Sequence, residues 1–235
     1  MGGSGRTGDE HVREWAALHL TEAPGRFVGG WLRLSAAVAR PLARAGVSPN
    51  AVTVAAMAVA VAAVPLVLID GWPGPALGCL AVTVSGILDA LDGAVAVQAG
   101  RTTKVGFFLD SALDRIADAA FPAALAIVAS RSTRTATAPT ALAVAATAAS
   151  WYLEYVRARA NQAAPERDRQ VITPGERPTR IILTAVALGL PFLALPALWA
   201  HVVIVGGSAV YLLAHSIRRL GRLDAADGDA AAPPP

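Results

Sequence analysis

Six apolar stretches, each close to the length needed to cross a bilayer, constrain this chain more than any other feature. A hydrocarbon core of roughly 30 Å takes about 20 residues of α-helix. The stretches run approximately over Ala51–Ile69, Gly74–Ala96, Gly106–Ala129, Ala136–Val156, Ile181–Leu198 and Val202–Ile217, broken by Gly, Pro or charged connectors. Charged residues make up only 16% of the 235 residues and hydrophobic ones 54%, which disfavours a soluble domain of this length. The expected fold is therefore all-α: an integral membrane protein with six transmembrane helices.

An even number of spans puts both termini on one side, and the basic residues say which. Eighteen of the twenty Lys and Arg residues fall on one face of this topology, and only Arg131 and Arg134 lie opposite. By the excess of basic residues in cytoplasmic loops, that face is cytoplasmic. Residues 1–49 contain no early apolar stretch of the secretory kind, so the N-terminus is expected to stay in the cytoplasm. Within this segment Arg26, Arg33, Arg40 and Arg44 recur at helical spacing, while Phe27, Trp31, Leu34 and Val38 occupy another face. The pattern fits an amphipathic helix lying at the interface against anionic headgroups, or one packed on the membrane domain. Residues 221–235, ending in Ala and Pro, have too few apolar groups to offset ordering and are expected to be disordered. Cys79 is the only cysteine, which excludes a disulfide framework or a cysteine-built zinc site within one chain. No basic stretch interleaved with aromatics points to nucleic acid.

The chemistry is concentrated in Asp89-Ala-Leu-Asp92-Gly93-Ala-Val-Ala96 and Gly106-Phe-Phe-Leu-Asp110-Ser-Ala-Leu-Asp114-Arg-Ile-Ala-Asp118. Spacings of three and four put Asp89 with Asp92, and Asp110 with Asp114, on one face of each helix, and the short intervening loop lets the two faces converge. A carboxylate inside a membrane costs about 2.5–3.5 kcal/mol on insertion scales, so this cluster needs a compensating cation. Arg101, Lys104 and Arg115 are one source, a proton or ion pathway is another reading, and a divalent ion is the third. With oxygen ligands and neither Cys nor His nearby, Mg²⁺ or Mn²⁺ suits the set and zinc does not. Gly93 and Ala96 are small either for close helix packing or to admit a bulky ligand. Pro49-Asn50 before the first span reads as a helix start.

This spacing resembles the signature of the CDP-alcohol phosphatidyltransferase family, Asp-x-x-Asp-Gly-x-x-Ala-Arg, eight residues, Gly-x-x-x-Asp-x-x-x-Asp. Asp89, Asp92, Gly93, Ala96, Gly106, Asp110 and Asp114 all fall in register, and Val97 stands where the family has Arg. The resemblance covers roughly Arg40 to Arg219. It implies that residues 50–220 form a catalytic domain that moves a phosphatidyl group from CDP-diacylglycerol to a polar alcohol and releases CMP. Two metal ions would be held by Asp89, Asp92, Asp110 and Asp114, with Asp114 also the base toward the acceptor hydroxyl. Pro49, Asn50, Thr53, Gly93, Ala96 and Gly106 would lie near the nucleotide. The family also implies a homodimer in the cell membrane, with its active site cytoplasmic.

Between the fourth and fifth stretches lie Tyr155-Val-Arg157-Ala-Arg159-Ala and Gly175-Glu176-Arg177-Pro178-Thr-Arg180. On charge alone these arginines either hold topology or bind phosphate, which guanidinium forks suit. The segments resemble those of actinobacterial-type phosphatidylinositol-phosphate synthases. By that likeness Arg157, Arg159, Arg177, Arg180 and Arg219 would grip inositol phosphate, while relatives using glycerol phosphate share much of the architecture. A transporter with a carboxylate path, or a non-catalytic homologue, is the reading from another class.

Overall fold

Helix punctuation in the sequence sets most of the element boundaries. The computed structural model describes residues 26–133, 135–164 and 171–231, and among these the regular structure is entirely helical. Helix α1 spans Arg26–Arg44, α2 Pro49–Leu66, α3 Pro73–Ala99, α4 Lys104–Ser130, α5 Thr137–Ala163 and α6 Arg177–Gly189. A 3₁₀ turn, Pro191–Leu193, leads into α7, Ala194–Ala231. Proline sits in the first turn of α2, α3 and α6, where its missing N–H costs nothing.

The expected fifth and sixth spans are divided differently. The break falls at residues 190–193, not between Leu198 and Val202, because Gly189 and Pro191 end one helix before the apolar run does. Trp199, Ala200 and His201 lie inside α7, with His201 buried. At 13 residues α6 is only about 20 Å long. The last helix also runs on to Ala231, past the boundary at residue 220 where disorder was expected. An apolar helix already nucleated extends cheaply through the alanines of this segment.

Among the described residues, three helical stretches are long and apolar enough to cross a membrane: Pro49–Leu66, Pro73–Ala99 and Pro191–Ala226. Charges of the site lie both on one of these helices, α3 with Asp89 and Asp92, and on the other elements, α4 with Asp110, Asp114, Arg115 and Asp118 and α5 with Glu154 and Arg157. Several such membrane-length helices in one chain make this a multi-pass membrane protein.

The core is made largely of small residues. Ala60 and Ala63 of α2, with Val67 just past its end, meet Ala81 and Val82 of α3, Phe121 and Leu125 of α4, Leu188 of α6 and Leu198 of α7. Small side chains let helix backbones approach closely, which is how apolar helices gain packing energy where lipid competes for the same surface. A second cluster joins Leu153 and Val156 of α5 to Val205, Ala209 and Leu212 of α7. Helix α1 packs through Ala39 on Ala94 and Val95 of α3, leaving Leu34 and Val38 exposed on its other side. The side chains of Arg26, Phe27 and Trp31 lie outside the described residues, as do residues 1–25.

At the end of the bundle away from the carboxylates, Arg131 closes the α2 terminus. Its Nη2 donates to the carbonyls of Val67, at 2.6 Å, and Ile69, at 3.3 Å. The last carbonyls of a helix have no partner inside it, so a cation there offsets both the orphan acceptors and the helix dipole. Replacing Arg131 by Met should lower stability by about 1.5–3 kcal/mol, the usual worth of a charged hydrogen bond. Thermal unfolding in detergent measures this, and an unchanged midpoint would refute the assigned role.

Candidate functional site

Two turn signals bring the paired carboxylates together. Gly100 takes φ +63 at the end of α3, with its N–H on Val97 O and the Arg101 N–H on Ala96 O, a Schellman closure that glycine accommodates without strain. Thr103 then caps α4, its hydroxyl oxygen accepting from the Gly106 N–H at 3.0 Å. The reversal is tight enough that Asp89 and Asp92 of α3 face Asp110 and Asp114 of α4.

Asp89, Asp92 and Asp110 each offer a carboxylate oxygen within 4.8 Å of the others. Asp92 is 8% exposed, and its Oδ2 is buried with no hydrogen-bond partner. An orphaned buried carboxylate oxygen is costly unless a cation meets it. Asp114 joins through Arg177, whose Nη1 donates to Asp89 Oδ1 and Asp114 Oδ1 together.

Thr53 is buried against Asp92 and Asn50 lies beside Gly106, where a Cβ would stand 3.1 Å from Asn50 Oδ1. Pro49, Asn50 and Thr53 at the start of α2 thus adjoin the carboxylates. Gly93 is exposed, and a Cβ there would meet nothing within 4 Å, so its face of α3 is open. Ala96 is half-buried one turn further on; Val97 is likewise half-buried, and Arg101 is exposed beyond the Gly100 turn.

The arginines fall into distinct settings. Arg157 makes two bonds to Glu176, Nη1 to Oε2 at 2.8 Å and Nη2 to Oε1 at 2.6 Å. Arg180 is 1% exposed, with Nη1 2.8 Å from Asp118 Oδ2 and Nη2 donating to Glu154 Oε1 at 3.0 Å. Arg159 is exposed and donates to Gln162 on its own helix, and Arg219 is half-buried on α7. Arg177, expected on the acceptor phosphate, lies against the metal-type carboxylates themselves.

The segment before α6 is pinned to α7. The Gly175 N–H donates to Ser208 Oγ at 2.9 Å, and a Cβ on Gly175 would meet Ser208 Oγ and the Val205 backbone at about that distance. Only glycine permits this approach, which fixes where Glu176 and Arg177 leave the turn.

Sequence reasoning missed Glu154. A carboxylate in the apolar run Trp151-Tyr-Leu-Glu154-Tyr-Val is itself a signal for function. Asp118, which lies outside the family signature, is fully buried between Arg180 and Arg115, the latter at 3.4 Å.

Within the network these contacts define, seven carboxylates (Asp89, Asp92, Asp110, Asp114, Asp118, Glu154 and Glu176) face four guanidiniums (Arg115, Arg157, Arg177 and Arg180). In these contacts the carboxylates outnumber the guanidiniums. All the donors at the Asp89, Asp92 and Asp110 cluster are hard oxygens, so the site fits a divalent cation of the Mg²⁺ or Mn²⁺ type.

Comparison with known proteins gives the same region a context. The family model described as CDP-alcohol phosphatidyltransferase matches residues 46–215. The chain is 34% identical to the archaetidylinositol phosphate synthase of Aeropyrum pernix, over 64% of this chain and 72% of that one. It is 31% identical to the phosphatidylinositol phosphate synthase of Mycolicibacterium smegmatis, over 80% and 85% of the two chains. Among solved structures, the Mycobacterium tuberculosis phosphatidylinositol phosphate synthase with CDP-DAG bound superposes with a TM-score of 0.63 at 27% identity, covering 78% of this chain and 94% of that one. The same enzyme in complex with manganese and citrate gives a TM-score of 0.61 at 28% identity, covering 78% and 88%.

Two outcomes follow from the geometry. Asp92→Asn should weaken Mn²⁺ binding by at least about tenfold, since even outer-shell changes commonly cost that much. Titration followed by the electron paramagnetic resonance of free Mn²⁺ reads it, and unaltered affinity would mean that Asp92 holds no ion. The second concerns Glu176. Burial alone would raise its carboxyl, but the Arg157 pair and the Thr173 N–H outweigh this and hold it below the usual carboxylate range. A depressed folded value stabilises the fold above the unfolded pKa of about 4.3 and loses that contribution as pH falls through the folded value. The unfolding midpoints of wild type and Glu176→Gln should therefore differ by a constant amount from pH 8 to about 5 and converge below about 4. A gap that already closes near neutral pH would contradict this.

Proposed function

The chain belongs to the CDP-alcohol phosphatidyltransferase family, and we propose that it moves a phosphatidyl group from CDP-diacylglycerol to the hydroxyl of inositol phosphate, with release of CMP. As a member of that family it is a transferase acting in phospholipid synthesis. The observation that carries the reading is the convergence of Asp89, Asp92 and Asp110, with oxygens within 4.8 Å of one another, on the side of the bundle where Asn50 and Gly106 meet. The choice of acceptor is supported by the relatives named for inositol-phosphate lipids and by the arginines at the ends of α5 and α6.

Divalent ions held by Asp89, Asp92, Asp110 and Asp114, two of them by analogy with paired-metal sites, would neutralise the pyrophosphate of the donor. The chain's own groups supply the rest. Asp114 Oδ1 is engaged by Arg177, which leaves Oδ2 to take the proton of the acceptor hydroxyl. The acceptor oxygen forms a bond to the phosphorus that carries the diacylglycerol. The bond from that phosphorus to the CMP oxygen breaks, and the electron pair leaves with CMP. Pro49, Asn50, Thr53, Gly93, Ala96 and Gly106 line the nucleotide, the open face of Gly93 leaving room for it. Arg157, Arg177 and Arg180, with Arg159 and Arg219 nearer the surface, receive the acceptor phosphate.

In this reading residues 50–220 cross the cell membrane six times, with both termini and the carboxylates on the cytoplasmic side, supported by the distribution of basic residues. Helix α1 lies along the interface, Leu34 and Val38 toward lipid. The many Ala and Gly residues in the helices suit a homodimer.

Purified protein in detergent, given CDP-diacylglycerol and Mg²⁺, should release CMP with inositol phosphate and lose at least about 10³-fold of that rate on Asp114→Asn, which removes the base and a metal ligand. Release with glycerol phosphate alone would change the acceptor and keep the reaction class. No release with any phosphorylated or free polyol would refute the proposal.

A further inference from the structure

Glu154 touches more of the arginine cluster than any other carboxylate in the contacts described above, although it belongs to no part of the signature. It sits on α5, and its two oxygens face three helices. Oε1 accepts from Arg180 Nη2 of α6 at 3.0 Å, while Oε2 lies 3.8 Å from Arg157 Nε of its own helix and 3.9 Å from Arg115 Nη1 of α4. Arg115 in turn lies 4.0 Å from Asp114 Oδ2, the oxygen assigned to receive the proton. One carboxylate therefore links the helix that carries the base to both helix ends that carry the acceptor arginines.

A purely structural account of this cluster is weak. Three guanidiniums and two further acids in the interior of an apolar bundle are expensive to desolvate, and apolar residues of similar volume commonly serve packing as well or better. The arginines also keep buried Nε–H groups without hydrogen-bond acceptors, on Arg115, Arg157 and Arg180 alike. The carboxylates thus compensate charge without consuming every donor. What the arrangement does secure is orientation: Arg180, held by Asp118 on one side and Glu154 on the other, has a single way to point.

Resting on the reading of a phosphorylated acceptor, we infer that Glu154 is a positioning residue for the acceptor subsite. It sets Arg157 and Arg180 relative to each other and, through Arg115, relative to Asp114. Its loss should misplace the acceptor phosphate while leaving the donor nucleotide and the metal acids in register.

Glu154→Gln keeps the size of the side chain, removes its charge and turns an amide donor toward guanidiniums that need an acceptor. The expected result is a KM for inositol phosphate raised by about tenfold or more, as for other residues that orient a primary ligand. The KM for CDP-diacylglycerol and the Mn²⁺ affinity should move by less than about threefold. Glu154→Asp, which keeps the charge but withdraws it by one methylene, should give an intermediate acceptor KM and carries the test if the Gln variant does not fold. If the KM values for both substrates rise together, or if only the melting temperature falls while both KM values hold, Glu154 serves the fold alone and the inference is overturned. Should wild type release no CMP with any phosphorylated acceptor, the proposed function fails separately, and inorganic phosphate decides the inference. A phosphate-induced rise in melting temperature that is present in wild type and absent in Glu154→Gln supports it; an equal rise in both proteins, or none in wild type, overturns it.

Discussion

Asp89 and Asp114, carried by two different helices, both accept from the guanidinium of Arg177, and the remaining charges of the site are organised around that contact. Carboxylates among apolar helices are costly, about 2.5–3.5 kcal/mol each on insertion scales. Removing one partner of such a pair costs more than the pair contributes, because it strands a charge away from water. The helices are therefore obliged to meet where they do: α3 and α4 share their carboxylates with the first turn of α6, α4 and α6 also meet through Asp118 and Arg180, and Glu154 of α5 meets Arg115 of α4 and Arg180 of α6. Electrostatic necessity, as much as small-residue packing, determines which helix ends converge.

Backbone features then determine how accurately they converge. The left-handed Gly100 and the Thr103 cap reverse the chain within a few residues, so that two pairs of carboxylates end at one level. The Gly175 contact with Ser208 holds the approach to α6 against α7, and the bidentate Arg157 to Glu176 pair secures the same turn from the α5 side. Each of these is a local device with a tertiary consequence. A shift of one turn at any of them would take Arg177 out of reach of Asp89 and Asp114.

The same arrangement explains why one region can serve both binding and chemistry. The all-oxygen cluster of Asp89, Asp92 and Asp110 suits divalent ions, while Arg157 and Arg180 lie beside it on Glu176, Glu154 and Asp118. Asp92 and Asp110 lie toward Thr53, Asn50 and Gly106 at the start of α2 and α4, whereas Asp89, Asp114, Asp118 and Glu154 are each met by an arginine.

Much of this was legible in the residues alone. The all-helical class and the grouping of Asp89, Asp92 and Asp110 follow from apolar runs and from spacings of three and four, because those depend only on helical geometry and a short loop, and the family was legible as the resemblance of the spaced signature. The division of the last two helices and the length of α7 were not legible. Hydropathy continues smoothly through Pro191, so the break shows only in backbone geometry, and an alanine-rich tail reads as disordered until it is seen as the extension of an existing helix. Nor could one chain position reveal that Glu154 meets Arg180, 26 residues away, or that Arg177 lies on the metal-type acids, 63 and 88 residues away. Local spacing determined which groups share a helix face. Which faces meet is decided by how the helices pack, since the cost of an unpaired buried charge is felt only once they have come together.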